Sequence, residues 1–340
     1  MNTVEKSRQN NFDFVRLSAA FAVLISHQFA LNARPEPVLF HRNLGTLAVL
    51  IFFSVSGFLV SQSWRQDPHA LRFLAKRFLR VWPGLAAVTL IAAFLLGPAI
   101  SSLNVKAYFA HPEFESFLLN LQVWKIRFFL PGVFKENSYP GVVNGSFWTI
   151  PLEVNCYVLL LAAGCLGIMA KKWVAVLAII ICGIYYFGFA ADPTDYQYHY
   201  ALYFFAGVSL DLYRRAWENS PLYLLAGACA ISLALLYFGA DRVSMLFLIP
   251  VVAIYIGTRS TPVLSNIGKY GDISYGIYIY AFPVQQTTLW ALGKDFPFIP
   301  GLVIAAMATT FCAFLSWHFV EKNALRLKSY LVRPEKSPTL

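Results

Sequence analysis

The chain has 340 residues, of which 58% are hydrophobic and 13% charged, and its formal net charge is +10. A soluble domain carries about a quarter charged residues, so the composition excludes an ordinary soluble enzyme and points to a membrane. The positive charge requires no nucleic acid, because short cytoplasmic loops and anionic lipid account for it.

Ten apolar runs lie near residues 12–31, 44–63, 81–101, 148–168, 173–190, 199–213, 221–238, 243–257, 273–292 and 299–319. A span ideally needs about 20 residues, and several of these are shorter. Most of the 27 lysines and arginines fall on the side that holds both termini when the runs alternate across a bilayer. The expected fold is an all-α integral membrane protein of about ten transmembrane helices with cytoplasmic N- and C-termini. It forms one domain over 1–340, with a core of about 8–325 and a cytoplasmic tail at 326–340. No cleavable leader is expected, because the first run is full-length and carries Arg16 and His27. Cys156, Cys165, Cys182, Cys229 and Cys312 lie in apolar runs without CxxC pairing and read as packing residues, not as disulfides or metal ligands.

The first run, FDFVRLSAAFAVLISH at residues 12–27, places Arg16 and His27 eleven steps apart. On a helix that spacing returns to the same face about 16 Å further on. Ionisable groups on one face of a membrane helix are costly and mark a pathway or a site. Asp13, one turn before Arg16, is its expected ion-pair partner. The second run, FFSVSGFL at 52–59, places Ser54, Ser56 and Gly57 in mid-span. Small residues there serve close helix packing, or leave an acyl path at Ser56 and Gly57. Next, KRFLRVWP at 76–83 sets Arg77 and Arg80 on one helical face before Pro83. With Arg72 and Lys76 they read as one cationic patch, suited to phosphate or simply to positive-inside topology.

The longest connection, about 102–147, is expected outside. Its residues 114–129 are amphipathic and aromatic, suited to an interfacial helix. Residues 130–146, with three glycines and two prolines, suit either a site-shaping loop or a plain solvent loop. Glu153, near the outer start of the fourth run, lies about 9 Å below the surface, at a depth similar to His27. A carboxylate there could orient the imidazole. The alternatives are a structural arginine partner for Glu153 and a helix-to-helix hydrogen bond for His27. A cationic inner mouth, a small-residue middle and a His/Glu pair near the outer face fit an acyl thioester of coenzyme A.

At these residues the sequence resembles the membrane acyltransferase family 3, the sugar O-acyltransferases of bacterial inner membranes. The resemblance rests on the Arg-x10-His of the first run, FFSVSGFL, KRFLRVWP, VNGSFWTIPLEVNCY at 143–157, SYGIYIYAFPV at 274–284 and FVEKNALRLK at 319–328. It implies a cytoplasmic acyl-CoA donor, most simply acetyl-CoA as co-substrate with no bound cofactor and no metal. The implied acceptor is a hydroxyl on a lipid-linked or periplasmic glycan. It implies His27 as base, Glu153 in the essential set, and Arg16, Arg77 and Arg80 as donor-binding residues. Two departures stand out: Ala281 where many members have histidine, and Asn323 where many have proline. The esterase-like domain that some members append is not expected here.

The expected function is therefore O-acylation, most simply O-acetylation, of a cell-surface carbohydrate by an inner-membrane enzyme. Asn144, Ser146 and Trp148 stand as an oxyanion or acceptor loop. The competing readings are a proton-coupled transporter, for which intramembrane His, Glu and Arg are equally natural, and a non-catalytic scaffold for glycan export.

Overall fold

The computed structural model describes residues 10–186 and 196–331. Among the described residues, ten long helices carry the architecture. They are α1 (Phe12–Leu31), α2 (Leu44–Gln66), α3 (Ala70–Ile91), α4 (Thr149–Cys165) and α5 (Trp173–Ile184), then α6 (Tyr196–Leu212), α7 (Pro221–Tyr237), α8 (Asp241–Thr258), α9 (Ser274–Leu292) and α10 (Phe298–Ser316). The described strands, Val38–Leu39 and Arg42–Asn43, form one short antiparallel ladder. Each of the ten apolar runs overlaps one of these helices, and the run at 81–101 continues past α3 through Ala92–Leu96 and Gly97–Ile100. Residues 187–190 of the fifth run and 332–340 of the expected tail fall outside the described residues, as do residues 1–9.

Among the described residues, six helical stretches are long and apolar enough to cross a membrane. They are Phe12–Leu31, Leu44–Gln66, Ala70–Ile100, Gly145–Cys165, Asp241–Thr258 and Phe298–Tyr330. This makes a multi-pass membrane protein, with six such stretches against the ten spans expected. The shortfall has physical causes. Over the described residues α5, α6 and α7 run for only 12, 17 and 17 residues, and α9 is diluted by its tyrosines and by Gln285 and Gln286.

Two local expectations are corrected. α3 starts at Ala70, not near residue 81, because His69 accepts the Arg72 backbone N–H as its N-cap and Pro83 sits inside the helix. Neighbouring structure can satisfy the carbonyl that a proline leaves free within a membrane helix. The 114–129 stretch is not one interfacial helix either. Helical turns cover Pro112–Leu118 and Leu119–Gln122, and Val123 then takes a positive φ of 67°. The Asn120 side chain causes the reversal: it donates to the carbonyls of Phe117 and Arg127 and accepts the Arg127 N–H. The chain returns extended, with Phe129 bridged to Val142.

The helices fall into two compact units. One comprises residues 1–27, 36–62 and 166–274; the other comprises 28–35, 63–165 and 275–340. In the first, α5 packs on α6, α7 on α8, and α6 on α8. α2 and α6 meet backbone to backbone: a Cβ on Gly57 would fall on the Phe204 carbonyl, and one on Gly207 on the Ser54 carbonyl. This is the packing role for Gly57, since the space beside it is filled by α6. The unit's core gathers Phe12, Val55, Phe58, Trp217 and Ile254, with Gly257 admitting the Phe12 ring.

In the second unit, α3 continues through a π-helical segment, Ala92–Leu96, and α10 through another, Trp317–Glu321. The Tyr275 hydroxyl donates to the Val81 carbonyl at 2.8 Å, and Gly84 leaves room for the Tyr275 ring. Gln286 pins the 130–146 loop to α9, donating to the Tyr139 and Val142 carbonyls and accepting from Asn137. That loop is therefore a fixed part of its unit.

The glycine crossing yields a direct prediction. Gly57→Val drives two methyls into the α6 backbone and should lower stability by about 3 kcal/mol or more. Thermal unfolding in detergent reads this, and an unchanged transition would contradict the crossing.

Candidate active site

The first unit holds Arg16, His27, Ser56 and Gly57. Arg16 lies between two carboxylates: its Nη2 is 2.5 Å from Asp13 Oδ1, and its Nη1 is 3.0 Å from Asp272 Oδ2. The first partner is the one expected from spacing. The second comes from the loop before α9, where Ser274 Oγ donates to Asp272 Oδ1 at 2.5 Å. Arg16 is thus charge-compensated, and a donor phosphate could reach it only in competition with two aspartates. His27 lies three turns on along α1. The preceding Ser26 donates to Glu36, which ties α1 to the short connection after it. Ser54 is spent on its own helix, donating to the Leu50 carbonyl at 2.8 Å.

The second unit holds Glu153, Arg77, Arg80, Asn144, Ser146 and Trp148. Tyr157 donates to Glu153 Oε1 at 2.5 Å, one turn along α4. The Arg77 guanidinium stands 5.9 Å from the Tyr157 ring and 5.9 Å from the Phe73 ring, and it is within electrostatic reach of Glu153 and Arg80. Arg80 lies 5.7 Å from the Tyr275 ring. Both distances are in the range where an aromatic face attracts a cation. The two arginines, Glu153 and three aromatic rings therefore make one polar cluster where α3, α4 and α9 meet.

The four-cation patch does not hold as a unit. Asp67 takes Arg72 and Lys76 for itself, with Arg72 Nη2 at 2.5 Å and Lys76 Nζ at 2.6 Å. Arg77 and Arg80 face the aromatic cluster instead. The hydrogen bonds from Arg72 and Lys76 hold the Asp67 carboxyl well below the usual carboxylate range.

The Asn-Gly-Ser-x-Trp block is mostly committed to the fold. Asn144 Oδ1 accepts the Ser146 N–H, capping the turn Gly145–Trp148, and its Nδ2 donates to the Ile279 carbonyl at 2.8 Å. The Ser146 carbonyl accepts from Tyr278, whose hydroxyl also meets Thr149 Oγ1 at 2.7 Å. Gly145 is required because a side chain there would strike the Phe282 ring. The Ser146 N–H and one hydrogen of the Asn144 amide are therefore engaged within the fold. Ser146 Oγ is fully buried and has no hydrogen-bond partner among the described residues.

Sequence reasoning missed a further acid. Glu321 is 2% exposed, ends the π segment after α10, and accepts from Ser316 Oγ at 2.9 Å. It lies within electrostatic reach of Tyr275, as do Glu153 and Arg80. The available signal was an acid closing an apolar run, masked by the basic residues just after it. Tyr157, Tyr275 and Tyr278 also escaped notice, since an aromatic in an apolar run reads first as packing.

The sequence matches the acyltransferase 3 family, described as an acyltransferase domain, over residues 9–318. It is 29% identical to an O-acetyl transferase of Shigella phage Sf6, covering 95% of this chain and 98% of that protein. It is 27% identical to nodulation protein 10 of Rhizobium leguminosarum bv. viciae, covering 97% of each. A putative acetyltransferase of Acidianus two-tailed virus, ORF330, is 25% identical over 84% of this chain and 86% of its own length. No solved structure matches the chain.

The Asp67 clip predicts a pH signature. A carboxyl whose folded pKa is depressed adds stability above its unfolded pKa of about 3.9, and that stability disappears as pH falls toward the folded value. Asp67→Asn should cost roughly 1 kcal/mol at pH 7, given its exposure. The difference from wild type should stay constant down to about pH 4 and shrink below it. Unfolding temperatures over that range check it, and a difference that grows in acid would contradict the clip.

Proposed function

Because the chain belongs to the acyltransferase 3 family, we propose that it is an O-acetyltransferase that moves acetyl from cytoplasmic acetyl-CoA to a hydroxyl of a cell-surface carbohydrate in the bacterial inner membrane. The observation that carries this reading is near full-length similarity to a protein named as an O-acetyl transferase. Exposed Trp124, Phe129 and Tyr139 on the 119–142 segment support a carbohydrate, since sugar rings pack their apolar faces on aromatic surfaces.

In this reaction His27, as neutral imidazole, removes the proton from the acceptor hydroxyl while that oxygen attacks the thioester carbonyl. The tetrahedral intermediate collapses, the C–S bond breaks, and the imidazolium returns its proton to the departing thiolate of coenzyme A. An O-acetyl ester and free coenzyme A result. Arg77 and Arg80 bind the donor's phosphates, for which paired guanidinium groups are suited. Arg16 belongs to the donor side only through exchange with its aspartates. The sequence pattern paired His27 with Glu153; these residues fall in different compact units, and the role proposed for Glu153 rests on its own neighbours. With Tyr157 it holds Arg77 in place for the donor. Ser146 Oγ, buried and uncommitted, is the group of the turn left to donate to a reacting oxygen or to the acceptor, with Trp148 closing that turn.

Mass spectrometry of surface glycans compares cells with the chain, without it, and with His27→Ala. An acetyl-sized increment should appear with the intact chain alone; loss of a general base costs about 10²–10⁴-fold in rate. Undiminished ester in His27→Ala cells would contradict the role of His27. Absence of ester with the intact chain, together with solute flux, would favour a transporter.

Glu153→Gln and Tyr157→Phe test the donor cluster in purified protein. Both should raise KM for acetyl-CoA about tenfold, since removing a charged hydrogen-bond partner costs roughly 1.4 kcal/mol or more. KM for the acceptor should not change. A fall in kcat with KM for the donor unchanged would instead assign Glu153 to the chemical step.

A further inference from the structure

Within the second unit, α3, α9 and α10 border a half-open groove of about 610 Å³ that the donor cluster does not use. That volume is ordinary for a ligand site. Room arises where Ala87, Ala92, Ala291 and Ala308 line the walls, and both π segments contribute lining residues, Leu96 from one and Val320 from the other. A π turn carries an extra residue and spreads the helix locally.

The wall chemistry selects the ligand. Thr287 and Thr288 donate to the Pro283 and Val284 carbonyls of their own helix at 2.7 and 2.8 Å, and Ser316 donates to Glu321. These three lining hydroxyls are therefore already committed, and apart from Tyr280 and Cys312 the other lining side chains are hydrocarbon. A sugar or water column would lose hydrogen bonds here, whereas an alkyl chain would lose none. From Tyr280 to Leu292 the groove follows α9 for about 18 Å. One leaflet's hydrocarbon is about 15 Å deep, half of a core about 30 Å thick.

One end of the groove is polar and cationic. Thr288 and Leu292 also line a shallow notch formed with Gln28, Asn32 and Phe298. Arg34, which is exposed, stands 4.8 Å over the Phe298 ring. Gln28 directly follows His27 in the chain. An apolar slot that ends at amides and an arginine matches a long hydrocarbon chain joined through phosphate to a polar head.

The geometry points to this groove as the seat of a lipid-linked acceptor: its single long hydrocarbon chain lies between α3, α9 and α10, its phosphate meets Arg34, and its sugar head lies beyond the groove mouth near Asn32. This deepens the acyltransferase reading and rests on it for the word acceptor, but the binding itself is independent of any donor.

The test is photo-crosslinking in phosphatidylcholine nanodiscs, without acetyl-CoA, using a polyprenyl diphosphate disaccharide that carries a diazirine in its chain. Cross-links should map to 280–292 and 304–320. They should fall at least tenfold in Ala308→Trp, or in Ala291→Phe should the first variant not fold, and severalfold in Arg34→Gln. Unlabelled polyprenyl diphosphate disaccharide should compete, and phosphatidylglycerol should not. Equal labelling of the filled variants, or equal competition by phosphatidylglycerol, would overturn the proposal and leave the groove as an ordinary lipid contact. Acetyl transfer by the same nanodiscs, measured separately with donor added, shows whether the acyltransferase reading itself fails.

Discussion

The whole arrangement depends on one constraint: a charge placed within apolar helices must find its partner in the protein, because hydrocarbon supplies none. Arg16 is held by Asp13 and by Asp272, far along the chain. Asp211 accepts from Ser61 at 2.7 Å, and both are fully buried. Glu153 has Tyr157, and Glu321 has Ser316. Removing one side of a buried hydrogen-bonded pair strands the other and costs about 1–3 kcal/mol. The connecting segments follow from this: the stretch before α9 carries Asp272 to Arg16, and the π segment after α10 places Glu321 beside Ser316.

The same constraint changes the chemistry that can be assigned. A row of four cations in the first half of α3 resembles one phosphate site, yet Asp67 withdraws two of them and leaves Arg77 and Arg80 on aromatic faces. The Asn144 turn looks like a source of oxyanion donors, yet its amide and backbone groups tie α4 to α9. The groups proposed for reaction are His27, Arg77, Arg80, Glu153 and the Ser146 hydroxyl.

Much of the helical architecture was legible, because runs of about twenty apolar residues have few other outcomes. Boundaries were less so. The start of α3 hides behind Arg72 and Lys76, which lower hydropathy where a cap and an ion-pair clip extend the helix. The reversal at Val123 depends on Asn120 closing a loop with Arg127, a contact that periodicity does not register. The Arg16–Asp13 pair follows from helical spacing, whereas Asp272, Tyr275 and Tyr278 are brought in by tertiary packing. Pattern resemblance pointed to Glu153 and the two α3 arginines; their common setting with Tyr157 and Tyr275 required the structure.

The central claim is acyl transfer from a thioester, and it is tested most directly with purified protein in proteoliposomes, acetyl-radiolabelled acetyl-CoA and a lipid-linked oligosaccharide. The account predicts label in an alkali-labile ester on the oligosaccharide, with one free coenzyme A released per ester formed, and neither product from His27→Ala. Oligosaccharide that crosses the bilayer without acquiring label, or equal ester formation by wild type and His27→Ala, would contradict it.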